Sequence, residues 1–274
     1  MGNKKQHKRI GETNMKVLVT GHKGFVGSNL LKKLKQLGHY AYCLEKDGNF
    51  EEHNLESIIK QCEVIFHVGA ISDTTLQDAN EMLYYNYTLS KRIFDLARKY
   101  NVKVVYSSSA ANYGDGNGIP NNIYGWSKLL AEDYGLKACE RFVALRYFNV
   151  YGPGEEHKGK MASVAYQAWK TGEFKLFPGD IKRDFVYIDD IVDANIYAAT
   201  LERGLFDVGS GNAETFESLV EGIGIDYEYH TPDKIPGWYQ YFTQADKEKF
   251  MPGWQPKNNV KLGTKKYKDY LLNS

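Results

Sequence analysis

Tyrosine and lysine recur four residues apart in this chain, at a spacing that could support proton transfer. On a helix, the pattern Y-x-x-x-K places a phenol and an ammonium on one face, one turn apart. A nearby ammonium lowers the pKa of a phenol, so that a tyrosine can act as a base near neutral pH. The pattern occurs four times, so spacing alone does not identify a site. The four pairs are Tyr42/Lys46, Tyr87/Lys91, Tyr124/Lys128 and Tyr166/Lys170.

Position along the chain favours Tyr124 and Lys128 among these pairs. The helix predicted over 124–138 follows a β-rich run, 102–107, and ligands of open α/β sheets bind beyond the carboxyl ends of the strands. The strand runs into a serine cluster that ends at Ser109, whose hydroxyl could hydrogen-bond a substrate oxygen and stabilise charge there. A serine cluster is otherwise typical of a turn, but its position before Tyr124 predicts a role in the chemistry.

Three glycines, Gly21, Gly24 and Gly27, follow the apolar run 17–19 and open an amphipathic stretch. This G-x-x-G-x-x-G pattern predicts a turn between a strand and a helix, where backbone N–H groups can approach a pyrophosphate. A second predicted strand ends in Glu45, at the distance expected for the acid that binds an adenine ribose. The pattern therefore predicts a dinucleotide site, with a tight turn that binds nothing as the alternative.

The elements that must position these residues alternate short β-rich runs with longer helical patterns, which is typical of βαβ units around a parallel sheet. The predicted strands are 16–20, 40–44, 63–68, 102–107, 142–147, 185–188, 205–208 and 226–230, and the predicted helices are 24–37, 54–60, 81–99, 124–138, 161–171 and 189–201. We expect Asp189 to cap the last of these helices.

The chain divides into three predicted parts. Residues 1–14 are polar and basic and are expected to form a disordered tail, and 15–150 form the dinucleotide-binding domain. Residues 151–274 are expected to form mostly a substrate-binding region, with segments at about 182–208 that return to the main sheet.

Composition excludes several classes of protein. The chain has 274 residues, 42% of them hydrophobic, enough for one large α/β domain with a core. A net charge of +1 gives no reason to expect a nucleic-acid partner, and no apolar stretch is long enough for a membrane span. Three scattered cysteines, Cys43, Cys62 and Cys139, predict buried thiols and a reducing, cytoplasmic location. Seven histidines without ligand spacing predict no metal site.

Four motifs resemble the extended short-chain dehydrogenase/reductase family. They are T-G-H-K-G-F-V-G (20–27), S-S-S-A-A-N-Y-G (107–114), Y-G-W-S-K (124–128) and R-Y-F-N-V-Y-G-P (146–153). Three later motifs, at 157–165, 182–190 and 232–246, resemble the nucleotide-sugar epimerases of that family that act on C-6 of an ADP-heptose. The resemblance implies a Rossmann-type, doubly wound parallel sheet with a smaller C-terminal α/β substrate-binding region.

The resemblance also implies a reaction and a set of site residues. A sugar carbon would be oxidised and then reduced from its other face, with a tightly held nicotinamide cofactor. Tyr124 would be an acid and base, Lys128 its pKa-lowering partner, and Ser109 the hydroxyl that orients the reacting oxygen. Lys158 would be a second catalytic base. The implied cofactor contacts are Gly21, Gly24, Phe25, Val26, Gly27, Glu45, Lys46, Gly69, Ala70, Ile71, Asn86, Tyr124 and Lys128, and the implied substrate contacts are Ser109, Asn149, Val150, Lys160, Gln167, Phe177, Arg183 and Tyr239.

The sequence departs from the family pattern in the cofactor and substrate regions. Glu45 favours the ribose hydroxyl of NAD, whereas Lys46 could attract the 2′-phosphate of NADP, and we favour NAD. The segment 114–124 is short, which predicts an open substrate pocket. Lys160 and Gln167 stand where the resembled epimerases usually have serine and histidine. The identity of the substrate sugar is therefore open to alternatives.

The resemblance leaves other functions open and also implies an oligomeric state. A 4-epimerase or a reductase of the same scaffold is the main alternative, and a non-catalytic dinucleotide-binding sensor is another. Ala110 and Ala111 stand where a dehydratase commonly has an acidic pair, which disfavours that reaction. The resemblance further implies a homodimer through the helices 81–99 and 124–138.

Overall fold

The computed structural model describes residues 14–46, 52–235 and 239–274. The strands are β1 (Lys16–Thr20), β2 (Tyr40–Leu44), β3 (Val64–His67), β4 (Lys103–Ser109), β5 (Phe142–Tyr147), β6 (Asn149–Tyr151), β7 (Glu173–Leu176), β8 (Lys182–Tyr187), β9 (Gly204–Val208), β10 (Ala213–Thr215) and β11 (Asp226–Tyr229). The helices are α1 (Phe25–Gln36), α2 (Glu52–Ile59), α3 (Ala79–Leu83), α4 (Leu89–Tyr100), α5 (Ile123–Ala138), α6 (Val164–Thr171), α7 (Ile188–Ala198), α8 (Phe216–Ile223) and α9 (Val260–Leu272). The predicted tail 1–14 lies outside the described residues, apart from Asn14.

The main sheet has six parallel strands in the order β2-β1-β3-β4-β5-β9, which confirms the predicted α/β fold. Strand β1 pairs with β2 on one side and with β3 on the other, so the chain reverses direction across the sheet at this point. Such a switch point leaves a crevice beyond the carboxyl ends of the strands.

Both faces of the main sheet are covered, as its continuous apolar strands require. Successive residues of β1 point to opposite faces. Val17 and Val19 pack in one buried cluster, whereas Leu18 packs in the other. The strands are therefore fixed from both sides, and their carboxyl ends form a rigid edge.

Two smaller sheets lie outside the main one, in the orders β10-β8-β6 and β11-β7. Of the range 182–208 that was expected to return to the main sheet, only β9 does so as a strand. Strand β8 pairs instead with β6 and β10. The extended segment 239–259, which we call the C-terminal strap, crosses between these sheets and contains one short 3₁₀ helix, Lys247–Lys249.

Three local predictions need correction. Helix α7 starts at Ile188, one residue early, so Asp189 lies inside the first turn and does not cap it. The expected helix 81–99 is interrupted by a π-helical turn, Tyr84–Thr88. Cys43 is exposed because β2 is an edge strand, although Cys62 and Cys139 are buried as predicted.

The helices of the described residues are too short or too polar for any of them to cross a membrane.

Candidate active site

A cavity of about 800 Å³ opens at the switch point, beyond the carboxyl ends of β1, β3 and β4. Its wall contains the glycine turn after β1, the loop after β3 and the serine cluster that ends β4. Tyr124 and Lys128 of α5 complete one wall, and Lys158 lies on the loop between β6 and α6. Residues from distant parts of the chain, singled out for their chemistry, therefore share one cavity.

The glycine turn forms a close backbone cradle. Gly21 has φ +68°, and a Cβ there would lie 2.5 Å from the Cα of Gly69. A Cβ on Gly27 would lie 2.0 Å from the carbonyl oxygen of Gly21. Gly24 precedes α1 without a side-chain capping bond, so the first N–H groups of the helix have no side-chain acceptor at that position. The cradle therefore fits the pyrophosphate of a dinucleotide.

Glu45 and Lys46 line the far end of the same cavity. The backbone N–H of Lys23 donates to Oε1 of Glu45 at 2.5 Å, which fixes the carboxylate over the glycine turn. The Lys46 ammonium lies 5.7 Å from the centre of the Tyr85 ring. The Glu45 carboxylate is thus held as an acceptor at the expected ribose position, and the Lys46 ammonium lies toward the Tyr85 ring.

A buried histidine that the sequence reasoning missed holds the loop after β3. The hydroxyl of Thr20 accepts from the backbone N–H of Gly69 at 2.9 Å and lies 2.8 Å from Nδ1 of His67. Nε2 of His67 lies 2.7 Å from the hydroxyl of Ser90. Burial, reinforced by the charge of Lys128, lowers the pKa of His67 to about 3. The ring is therefore neutral and links β1, β3 and α4. The sequence signal that could have found His67 is its position at the end of an apolar strand.

Asn86 was expected to contact the cofactor, but its amide is taken up by protein groups. Its Nδ2 donates to the carbonyl of Ile71 at 2.9 Å and to the hydroxyl of Ser127 at 3.0 Å. Its Oδ1 accepts from the N–H of Ile71 at 2.7 Å. Asn86 is 1% exposed and lies at the centre of the π-helical turn. It fixes the cavity-lining residue Ile71 relative to α5 and does not itself line the cavity.

Tyr124 starts near the N-terminus of α5, where Asn122 caps the helix by accepting from the N–H of Gly125 at 2.8 Å. Burial raises the pKa of Tyr124, and a hydrogen bond with Ser109 opposes that effect. The Lys128 ammonium lies 4.4 Å from the centre of the Tyr106 ring, and burial lowers its pKa to about 7 against the pull of Glu132. In this geometry burial dominates, so the pKa of Tyr124 is raised above its usual value and not lowered as expected.

Glu132 anchors a buried network behind Ser109 and Lys128 that was also missed. Oε2 of Glu132 accepts from the Ser108 hydroxyl at 2.5 Å, and Arg146 donates to both carboxylate oxygens at 3.0 and 2.5 Å. Glu132 lies two helical turns after Tyr124 and one after Lys128, on the same face of α5. That spacing of four was the signal that could have found it.

Lys158 and Lys160 lie on the loop between β6 and α6. The Lys158 ammonium lies 5.5 Å from the centre of the Phe25 ring, and burial lowers its pKa while Glu155 raises it. Lys160 donates to the Thr75 hydroxyl at 3.0 Å, which links the two sides of the cavity. Asn149 and Val150 also line the cavity.

Other predicted substrate residues lie away from the main cavity, and two of them, Arg183 and Tyr239, lie side by side. In the described part of the chain, Gln167, Phe177 and Arg183 stand outside the lining of both cavities found beside the sheet. Arg183 donates to the carbonyl oxygens of Lys182 and Gln240, and its guanidinium lies 5.4 Å from the centre of the Tyr239 ring.

The second cavity, of about 590 Å³, adjoins this pair. It is lined by Tyr239 and shares Phe148 with the first cavity. The structure thus does not bring the predicted substrate residues into one site. Gln167 instead donates to the carbonyl oxygen of Ala162 at 2.7 Å.

No group of three or more His, Cys, Asp or Glu side chains within 14–46, 52–235 and 239–274 is arranged to hold a metal ion.

Comparisons with known proteins point in one direction. Residues 17–209 match the NAD dependent epimerase/dehydratase family. The chain is 35% identical to an ADP-L-glycero-D-manno-heptose-6-epimerase of Brachyspira hyodysenteriae, over 94% of this chain and 98% of that protein. A crystal structure of the Helicobacter pylori ADP-L-glycero-D-manno-heptose-6-epimerase superposes with a TM-score of 0.84 and 29% identity, covering 98% of this chain and all of that one. The Thermus thermophilus UDP-glucose 4-epimerase in complex with NAD shares the fold, with a TM-score of 0.78 and 24% identity over 95% of this chain and 100% of its own.

Proposed function

The chain belongs to the NAD-dependent epimerase/dehydratase family, and we propose that it is a nucleotide-sugar epimerase that inverts C-6 of an ADP-heptose. The observation that carries the proposal is the joint position of Tyr124, Ser109 and Lys158 on the wall of one cavity that also contains the glycine cradle. The relatives named for this reaction cover almost the whole chain, which supports the choice of sugar.

The proposed roles follow from the protonation of the cavity groups. When bound, a nicotinamide dinucleotide supplies a hydride acceptor and donor for a sugar carbon. Tyr124 is protonated in this geometry because burial raises its pKa, so its phenol can donate to a sugar oxygen. The hydrogen bond with Ser109 favours the phenolate, which is the form in which Tyr124 takes a proton from a sugar hydroxyl and becomes a phenol.

Lys128 and Lys158 are the other two groups that we assign to proton transfer. A pKa of about 7 lets Lys128 change its charge near neutral pH, and it favours the Tyr124 phenolate only while it is protonated. Inversion of a carbon needs a second proton donor that approaches the sugar from a different element of the wall. Lys158, on the loop between β6 and α6, is the group that we assign to this role.

The substrate contacts fall into two sets. Asn149, Val150 and Lys160 line the main cavity and are proposed to contact the sugar. Tyr239, with Arg183 beside it, is proposed to hold the nucleotide diphosphate, because a guanidinium pairs well with phosphate. This second role requires Arg183 to exchange its bonds to backbone carbonyls for bonds to the substrate.

We propose NAD over NADP as the cofactor. The Glu45 carboxylate is held over the glycine turn by the Lys23 N–H, where it can accept from a ribose hydroxyl and would repel a 2′-phosphate. Extraction of the purified protein and titration of both dinucleotides would test this, and a preference for NADP would refute it.

We also propose a homodimer through the faces of α4 and α5. Trp126 and Leu130 are 45% and 42% exposed one turn apart on α5, and Tyr84 is 52% exposed on the adjoining π-helical turn. Exposed aromatic and aliphatic groups on neighbouring helices are typical of an interface. Sedimentation equilibrium of the wild type and Trp126→Glu would test it, and a monomeric wild type would refute it.

The main test is to follow inversion at C-6 of ADP-D-glycero-D-manno-heptose by NMR. Tyr124→Phe should lower kcat by about 10²–10⁴-fold, the usual loss for an acid–base group. Tyr87→Phe is the matched control, because Tyr87 belongs to the same sequence pattern but stands outside the cavity lining. Absence of conversion by wild-type protein with bound cofactor would refute the heptose, and an active Tyr124→Phe would refute the catalytic assignment.

A further inference from the structure

The loop that carries Lys158 has little regular structure of its own. It runs from Gly152 to Ser163 and contains one short 3₁₀ helix, Glu156–Met161. Gly159 interrupts that helix with φ 57° and ψ −123°. The main-chain hydrogen bonds of a regular helix therefore cannot by themselves fix the orientation of the Lys158 side chain.

A buried carboxylate joins the two ends of this loop. Glu155 is 0% exposed, and its Oε1 accepts from the N–H of Gly152 at 3.1 Å. Its Oε2 accepts from the N–H of Ser163 at 2.5 Å, and the Ser163 hydroxyl donates to Oε1 at 2.7 Å. Ser163 also caps α6, so the end of the loop is fixed to that helix as well.

The donor set explains why a carboxylate stands here. Two backbone N–H groups and one hydroxyl converge on the side chain, and they use both of its oxygens. An ionised carboxylate accepts on both oxygens, whereas a glutamine would present an NH₂ group to one of these donors. Burial of a charge is costly unless it is hydrogen-bonded in this way.

Lys158 is tied to the same residue. The Lys158 N–H donates to the carbonyl oxygen of Glu155 at 2.9 Å. The start of the loop is fixed to α1, because Nδ2 of Asn29 donates to the carbonyl of Pro153 at 2.8 Å. Lys158 is thus held between α1, where its ammonium approaches the Phe25 ring, and the closure made by Glu155.

We propose that Glu155 is the positioning residue for Lys158: it closes the loop 152–163 and supplies the negative charge that keeps the Lys158 ammonium available as a proton donor. The proposal rests on the proposed function only in its last clause, since closure of the loop does not depend on which sugar is bound.

Several other titratable side chains lie near Glu155 and Lys158. Glu155 is the ionisable side chain that raises the pKa of Lys158 against the effect of burial. The titratable side chains around Glu155 and on the adjoining cavity wall are Glu156, His157, Lys160, Tyr166, Tyr267, Tyr124, Lys128 and Asp73. Tyr267 lies against Glu155, which raises the tyrosine's pKa further after burial.

The first experiment needs no sugar. The pH dependence of Lys158 acetylation by a water-soluble N-hydroxysuccinimide ester is followed by peptide mass spectrometry in wild type, Glu155→Gln and Glu156→Gln. Removal of the Glu155 charge should move half-maximal labelling of Lys158 to lower pH, and hydrogen exchange over 152–163 should accelerate at least about tenfold. Glu156→Gln is the control, because that carboxylate accepts only from the Gly154 N–H among the bonds described. Unchanged labelling and exchange in Glu155→Gln would overturn the proposal.

The second experiment uses turnover in a double-mutant cycle. Glu155→Gln should lower kcat at least about tenfold with a smaller change in KM, and it should add little to Lys158→Met, because a positioning residue acts through the residue that it positions. Equal losses in both backgrounds would overturn the proposal. If wild type does not act on the ADP-heptose, the proposed function fails while the labelling experiment still decides this inference. If Glu155→Gln does not fold, Ser163→Ala, which removes one of the closing bonds and keeps the Glu155 carboxylate, should accelerate hydrogen exchange over 152–163 by a smaller factor; unchanged exchange would then overturn the closure.

Discussion

Two regions that frame the cavity are held in different ways. On the cofactor side, β1, α1 and β3 are joined by parallel-strand hydrogen bonds, and the glycine turn is fixed by direct backbone contact. The C-terminal strap pairs with another strand at a single isolated bridge, Lys182 with Phe242. Four further backbone N–H groups of the strap donate to buried carboxylates, and Met251 and Trp254 pack in the buried core.

Three aspartates accept these bonds: Asp184 of β8, Asp207 of β9 and Asp190 of α7. Asp184 accepts from the N–H of Ala245 at 3.0 Å, Asp207 from that of Asp246 at 3.1 Å, and Asp190 from those of Lys257 and Asn258 at 2.9 and 3.0 Å. Asp184, Asp190 and Asp207 are at most 2% exposed. The cofactor side of the site is thus stabilised by many equivalent main-chain bonds, whereas the hydrogen bonds of the strap depend on a few side chains. We therefore expect single substitutions to have their largest effects at the side chains that hold the strap.

The largest expected effect is the loss of Asp184. Its carboxylate accepts from Ser210, Gly211 and Ala245 backbone N–H groups at 2.6, 2.8 and 3.0 Å. Asp184→Ala leaves these buried donors unpaired, so we expect the free energy of unfolding to fall by about 3 kcal/mol or more. Urea unfolding gives the size of the loss.

Hydrogen exchange then locates the damage. Amides of the strap should exchange faster in Asp184→Ala, while those of α1 keep their protection. Asp180→Ala is the control, since Asp180 is an exposed side chain whose ion pair is with Lys182. Equal acceleration in α1 and the strap would show that the two regions are not held separately.

The next effect concerns the cofactor side. A Cβ at Gly27 would lie 2.0 Å from the carbonyl oxygen of Gly21, and the other nearest atoms are also backbone, of Gly21 and His22, which cannot move as easily as a side chain. We expect Gly27→Ala to weaken dinucleotide binding at least about 100-fold, because displacement of the turn disturbs the N–H groups that hold the pyrophosphate. Calorimetric titration measures the affinity, with the neighbouring Ser28→Ala as control. Affinity within a factor of three of wild type would refute the cradle.

Regular parts of this molecule were predictable because their pattern is local. The alternation of apolar runs and helical periodicity placed β1, β2 and β5 at their observed bounds. The motifs identified the family, and the match over residues 17–209 confirms it. Tyr124 and Lys128 were separated from the other Y-x-x-x-K pairs by position alone, and both line the cavity. The roles assigned to them stay predictions.

The remainder depends on contacts between distant residues. No local pattern indicates that the amide of Asn86 bonds to the backbone of Ile71, or that the helix takes a π-helical turn around Asn86. The pKa of Tyr124 depends on burial, which a spacing of four residues does not reveal. Arg183 was assigned to phosphate by resemblance, whereas its bond to the carbonyl oxygen of Gln240 arises from the path of the strap.

The smallest predicted effect distinguishes the two regions by pH. Burial lowers the pKa of His67 to about 3 from 6.5, so its contribution to stability is present above pH 6.5 and is lost as the pH falls toward 3. Burial raises the pKa of Asp184, Asp190 and Asp207 above 3.8. The part of their contribution to stability that depends on pH is largest below pH 3.8 and is lost as the pH rises through the raised values, so acidification does not weaken it. Acidification from pH 7 to 5 should therefore weaken the cofactor side by about 2 kcal/mol and not the strap.

Hydrogen exchange at the two pH values, corrected for the intrinsic rate, measures this difference. Amides of β1, β3 and the turn between β1 and α1 should lose protection at pH 5 relative to those of the strap. His67→Gln should reduce the loss, since its side chain can bond to Thr20 or Ser90 without binding a proton. Loss of protection first in the strap would contradict the assignment of neutral histidines to one region and of carboxylates with a raised pKa to the other. His67 and His39, which accepts from the N–H of Met15 beside β1, both have a pKa lowered by burial and take up a proton in this range on unfolding.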